Sequence, residues 1–167
     1  HARAFGRRTN STGLLRFQWP EVSLEHLRRL TSPVGMVQFC DISEPDPASG
    51  HTLDDNARAL IAVCIHASNV GGSGHDSGLA ARYLDYILHC QQPNGRFLNY
   101  ADTLGAFTQQ NHGENLDDSN GRALWALGVC VAHENALPFS MVRNAEHALR
   151  ACFPWVADLT SPRAIAF

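Results

Sequence analysis

The chain has no excess of positive charge: thirteen basic residues stand against sixteen acidic ones, for a formal net charge of -3. With no basic stripe either, it offers no electrostatic footprint for nucleic acid. It has no run near the roughly 18 apolar residues that a membrane span needs, so it reads as a soluble protein without a membrane partner. The arginine-bearing stretch from His1 to Asn10 leads into no apolar segment and does not read as a signal peptide. CxxC pairs and Cys/His clusters with metal spacing are missing, which predicts no metal site and no cofactor. Gly71-Gly72-Ser73-Gly74 lacks the Lys-Ser/Thr that a phosphate-binding loop requires, and reads as a flexible loop. The five cysteines, Cys40, Cys64, Cys90, Cys130 and Cys152, are odd in number and widely spaced. Buried free thiols in a reducing compartment fit them best, which predicts the cytoplasm.

What is present is helix. At 167 residues and 44% hydrophobic, the chain has material for one core. Residues 1–22 are aperiodic and read as a linker or tail. Ser23 is placed to cap a short helix, Leu24 to Leu30, and an irregular segment follows from Thr31 to Gly50. Thr52 and Asp55 then have capping-box spacing, and the helix they open is apolar on every face, which predicts burial on all sides. From Gly78 to Gln91 the pattern changes. Leu79, Tyr83, Ile87 and Cys90 share one face, and Arg82, Asp85 and His89 lie opposite. Pro93-Asn94-Gly95 marks a turn, with a short extended piece at 97–100. A second apolar helix is predicted over Ala123 to Ala132, with Trp125 in its core, and a second amphipathic one over Ser140 to Phe153. Ser161-Pro162-Arg163 opens a third apolar helix, with Ser as cap and Pro in the first turn.

Leu-Asp-Asp occurs at 53–55 and again at 116–118, and each copy is followed by Arg-Ala-Leu, at 58–60 and 122–124. A recurring motif within a recurring helix order predicts stacked helical hairpins. The expected fold is therefore all-α, a partial (α/α) toroid in which apolar inner helices alternate with amphipathic outer ones. Closing six hairpins needs on the order of twice this length. Residues 23–167 are accordingly expected to be the N-terminal part, about half of an (α/α)6 barrel, breaking off in the third inner helix. Such a half is expected to self-associate or to pair with the rest of the ring.

Leu27-Arg28-Arg29-Leu30-Thr31, Gly35-Met36-Val37-Gln38-Phe39 and the stretch from His51 to Leu60 resemble the opening of a bacterial, six-hairpin-like α/α-toroid family. That family is glycosidase-related and occurs alone or fused to glycosyltransferase domains. Glu114 to Gly128 is similar to its second inner helix, and the resemblance spans Leu24 to Phe167. Asp117-Asp118 stands where the family usually has Glu-Asp, and the family usually continues through several more helices. The resemblance implies the toroid and a sugar context more firmly than a reaction.

The chemistry follows from the carboxylates. Both Leu-Asp-Asp motifs open inner helices, so Asp54, Asp55, Asp117 and Asp118 are expected on one rim. Paired carboxylates are what glycoside hydrolysis needs, one as general acid and the other as base or nucleophile. Asp55 and Asp118 are the expected pair, with Glu114 in reserve. Asp54, Asp117, His51, His112, Asn56, Asn120, Arg58 and Arg122 are the expected substrate-binding residues for an oligosaccharide. The same residues also satisfy a purely structural account, in which the aspartates cap helices and favour their dipoles. Arg58 and Arg122 would then form intrahelical pairs with Asp55 and Asp118. A noncatalytic carbohydrate-binding or scaffold domain beside a glycosyltransferase is the alternative function. A Mg²⁺-diphosphate site fits poorly, because Arg58 stands where a ligand would be needed.

Overall fold

The computed structural model describes residues 20–70 and 77–167. Most of the expected tail, the glycine-rich loop at 71–74, Trp19 and His75 lie outside the described residues. The described residues are mostly helical, in agreement with an all-α class. They form α1 (Glu25–Arg29), α2 (Leu53–Asn69), α3 (Ser77–Cys90), α4 (Asp117–Ala132), α5 (Phe139–Cys152) and α6 (Pro162–Ala166). None of these helices is long and apolar enough to cross a membrane. Two short antiparallel ladders accompany them. β1 (Cys40–Asp41) pairs with β2 (Glu44–Pro45), and β3 (His51–Thr52) pairs with β4 (Tyr100–Ala101).

The helices lie in two layers. α2, α4 and α6 form one layer, with α4 between the other two, while α3 backs α2 and α5 backs α4. The α2–α4 seam is dry because small and branched residues line it. Ala57, Leu60, Val63 and Cys64 of α2, and Ala123, Leu127 and Cys130 of α4, are all inaccessible to solvent. The thiols of Cys64 and Cys130 meet across it, with Cys64 held as the protonated donor. All five cysteines are free, and only Cys40 is exposed.

Several elements begin where local chemistry predicts. Thr52 Oγ1 accepts the Asp55 amide at 3.2 Å and caps α2. Ser161 Oγ accepts the Ala164 amide, and Pro162 occupies the first turn of α6. In α3 the expected dry face is buried and Arg82, Asp85 and His89 are exposed. In α5 Val142, Ala145 and Cys152 are buried, while Leu149 is half-buried.

Two expectations need correction. α2 is not buried on all sides: Arg58, Ala62 and Ile65 form an exposed stripe, because α3 and α4 cover only two of its flanks. In α4, Trp125 is 41% exposed instead of sitting in the core, and it stacks on Phe167 at 5.7 Å. An apolar residue composition identified these helices as packing elements but did not say how many neighbours each one has.

Candidate functional site

The layer α2–α4–α6 places the N-termini of its helices side by side, and the acidic motifs meet there. Asp54 is the junction. Arg58, one turn along α2, reaches Asp54 Oδ2 at 2.6 Å, and Arg122 of α4 donates its Nε–H to Asp54 Oδ1. Arg122 does not pair with Asp118, as intrahelical spacing had suggested. It crosses to α2, because its side chain leaves α4 on the flank that α2 covers. Its guanidinium also lies 4.2 Å over the Phe167 ring, and the side chain is only 14% exposed.

The next rung repeats this one. Asp118 accepts from Arg163 of α6 at 3.0 Å and from the Ser161 hydroxyl. Each arginine thus binds an aspartate of the preceding helix, Arg122 with Asp54 and Arg163 with Asp118. This makes Asp118 the counterpart of Asp54, and Ser119 that of Asp55. The two Leu-Asp-Asp motifs are offset by one residue relative to the helices they open.

Asn56 and Asn120 confirm that register. Asn56 Oδ1 accepts the Met36 amide at 2.8 Å, and its Nδ2 donates to Met36 O and Thr52 O. Asn120 does the same for Phe97, with its Nδ2 also donating to Leu116 O. Each asparagine therefore clamps the loop ahead of its helix by that loop's own backbone groups. Both are buried, with their amide groups turned to backbone. His51 is buried too, its Nδ1 donating to Asp102 O at 3.1 Å and its Nε2 hydrogen-bonded to Ser32 Oγ at 2.8 Å. These three residues position the rim from behind.

The remaining carboxylates differ from one another. Asp117 Oδ2 accepts the Thr160 amide and hydroxyl, both at 3.0 Å, and the Ser161 amide. The Thr160 amide foremost holds its carboxyl below the ordinary value. A group shifted downward stabilises the fold above the ordinary carboxylate pKa and loses that contribution as pH falls through its depressed folded value. The stability advantage of wild type over Asp117→Asn, read from urea midpoints, is therefore expected to shrink as pH falls from the ordinary carboxylate pKa through the depressed folded one. Glu114 is exposed, without an ion pair or hydrogen bond among the described residues, and His112 is exposed in the turn Gln109–His112.

Asp55 is shifted the other way. Burial raises its pKa, and the neighbouring charge of Asp54 adds to this; the Thr52 hydroxyl, Arg58 and Arg122 oppose it. Thr52 Oγ1 donates to Asp55 Oδ2 at 2.6 Å, and Arg58 stands 3.6 Å from Oδ1. Behind it, Tyr86 Oη is buried without an aligned hydrogen-bond partner among the described residues. Burial holds the Tyr86 phenol far up, with the Cys90 thiol and the Asp55 carboxylate adding to the effect.

Sequence reasoning missed Ser161 and Arg163 as partners of Asp118. The signal was Asn56-Ala-Arg58-Ala, Asn120-Gly-Arg122-Ala and Ser161-Pro-Arg163-Ala, three copies of one short pattern. Nothing in the sequence marked Tyr86. Among the described residues, no group of three or more His, Cys, Asp or Glu side chains is arranged to hold a metal ion. No protein-family model matches the chain, and no curated protein matches it.

Proposed function

We propose that the chain is a carbohydrate-active protein that acts on the glycosidic bonds of an oligosaccharide, with Asp55 as general acid. The observation that carries this reading is the Asp55 carboxyl. It is partly buried, raised in pKa and set among Asp54, Arg58 and Arg122 on the rim. A carboxyl whose burial favours the protonated form, beside other charged groups, is suited to protonate a departing glycosidic oxygen. Asp118, oriented by Ser161 and Arg163, is the proposed base or nucleophile, and Glu114 is the unencumbered carboxylate in reserve. In the proposed fold the two layers are an arc of an (α/α) toroid, and the chain belongs with the glycosidase-related toroids found alone or beside glycosyltransferases. The alternation of layers and the repeated arginine–aspartate rung support that arc. Its free thiols suit the cytoplasm.

The test is product formation from manno-, gluco- and galacto-oligosaccharides, with and without phosphate, by wild type and Asp55→Asn. The variant is expected to lose turnover by about 100-fold or more. Its stability separates the acid role from a capping role. A carboxyl with a raised folded pKa costs stability above that pKa and ceases to do so as pH falls through it. Asparagine stays neutral throughout, so Asp55→Asn is expected to melt at or above the wild-type temperature at pH 7. A variant that melts lower and turns over normally would reduce Asp55 to a helix cap.

A second reading has its own support. Asp54, Asp117 and Asp118 are each engaged by partners from the chain itself. A noncatalytic sugar-binding or scaffold domain needs no free carboxylate, and saturable binding of the same oligosaccharides without products would favour it.

A further inference from the structure

The first turn of α2 is closed from outside the helix by one residue, Asn99. Asn99 O accepts the Leu53 amide at 2.8 Å, and Asn99 Oδ1 accepts the Asp54 amide at 3.1 Å. With Thr52 Oγ1 on the Asp55 amide, the N–H groups of residues 53–55 are all satisfied. Asn99 is itself fixed in place. Its amide donates to Asn111 Oδ1 at 2.7 Å, and Asn111, also buried, holds Tyr100 and Thr108 by their backbone groups. Two residues upstream, Phe97 is clamped by Asn120 at the start of α4. Asn99 thus stands on the strip of chain between the starts of α4 and α2, on the rim that carries Asp54, Asp55 and Arg122.

One group of this side chain takes no part in the fold. A backbone N–H can be met only by an acceptor, so the Asp54 amide fixes which end of the Asn99 amide is the oxygen. Nδ2 is then the outer end, and it has no acceptor among the described residues. Asn99 is only 7% exposed, and that opening includes Nδ2, which is not one of the sealed polar atoms. The cations nearby are already engaged, Arg58 and Arg122 by Asp54 and Arg163 by Asp118. With four aspartates on the same rim, an uncharged hydroxyl oxygen suits this donor better than an anionic group.

We infer that Asn99 is a substrate-binding residue, whose Nδ2 donates to one hydroxyl oxygen of the sugar unit held beside Asp55. The inference rests on the carbohydrate reading proposed above and adds to it a contact that orients the substrate. Because α2 holds Oδ1 and Asn111 holds the backbone, the donor is aligned before substrate arrives, and little side-chain freedom is lost on binding.

The test is a cycle between protein and ligand. Calorimetric titration measures how wild type, Asn99→Asp and Asn99→Ala bind the manno-, gluco- and galacto-oligosaccharides, and the singly deoxygenated analogues of the one bound best. Where products form, kcat/KM takes the place of the binding constant. Aspartate keeps an acceptor for the Asp54 amide but not the donor; alanine removes both without adding charge. In wild type, loss of one particular hydroxyl is expected to weaken binding about tenfold. In both variants the same loss is expected to change nothing, because its partner is gone. If every analogue is penalised equally in wild type and in the variants, the inference is overturned. Asn99 is then only a cap of α2, and the carbohydrate reading stands. If wild type binds and turns over none of the oligosaccharides, the carbohydrate reading falls and this contact falls with it.

Discussion

Gly95→Ala is expected to destabilise the protein by about 4 kcal/mol, adding the strain of a left-handed non-glycine residue to overpacking against a fixed backbone. Gly95 has a φ of +81°, in the turn that follows α3. A Cβ there would fall 2.0 Å from Ala151 O and 3.0 Å from Trp155 Nε1. The nearest obstacle is a helix-end carbonyl of α5, which cannot swing aside as a side chain would. The turn is also tied down, since Gly95 O accepts from Gln91 Nε2 and Cys152 Sγ. Relief would have to come from moving the end of α5 away from α3, which opens the outer layer. Urea unfolding monitored by circular dichroism measures the effect. Gly78→Ala is the control: it lies in the first turn of α3 with no neighbour within 4 Å among the described residues, and is expected to be neutral or slightly stabilising. Equal behaviour of the two variants would mean that the approach at Gly95 is soft.

The loop clamps give the next largest effects. Asn120→Ala leaves the N–H and C=O of Phe97 without their side-chain partner in a buried site, and Asn56→Ala does the same to Met36. Each is expected to cost about 3 kcal/mol, because unpaired buried backbone groups keep their full desolvation penalty. Aspartate should be worse than alanine at both positions, since it removes the donor and buries a charge. The loss should appear as a lower urea midpoint with an unchanged slope. A drop in sugar binding or turnover without loss of stability would instead restore these asparagines to the substrate, as the motif had first suggested.

The helices and their caps were legible because both depend on near neighbours in sequence. The dry face of α3 lies within 14 residues, and the Thr52–Asp55 cap within four. The repeat was legible as well, but its register was not. Leu-Asp-Asp aligns Asp55 with Asp118, whereas the asparagine clamps and the arginine rungs align Asp54 with Asp118. A motif match counts identities, while the backbone counts turns, and one extra residue before Arg122 separates the two.

By itself, then, the sequence determined a mostly helical chain, the alternation of apolar and amphipathic helices, the caps of α2 and α6, and an acidic cluster at recurring helix starts. Tertiary structure alone decided which carboxylates are spoken for. Arg122 chose Asp54 over Asp118, Asn56 and Asn120 turned to loop backbone, and Asp55 kept a raised pKa. It also decided that, among the described residues, one flank of α4 is sealed while the other lies open beside Gly128. The physical reason is range. Periodicity and capping act within a turn or two of one helix, whereas ion-pair choice, burial of a carboxyl and exposure of an apolar flank depend on which helix lies alongside.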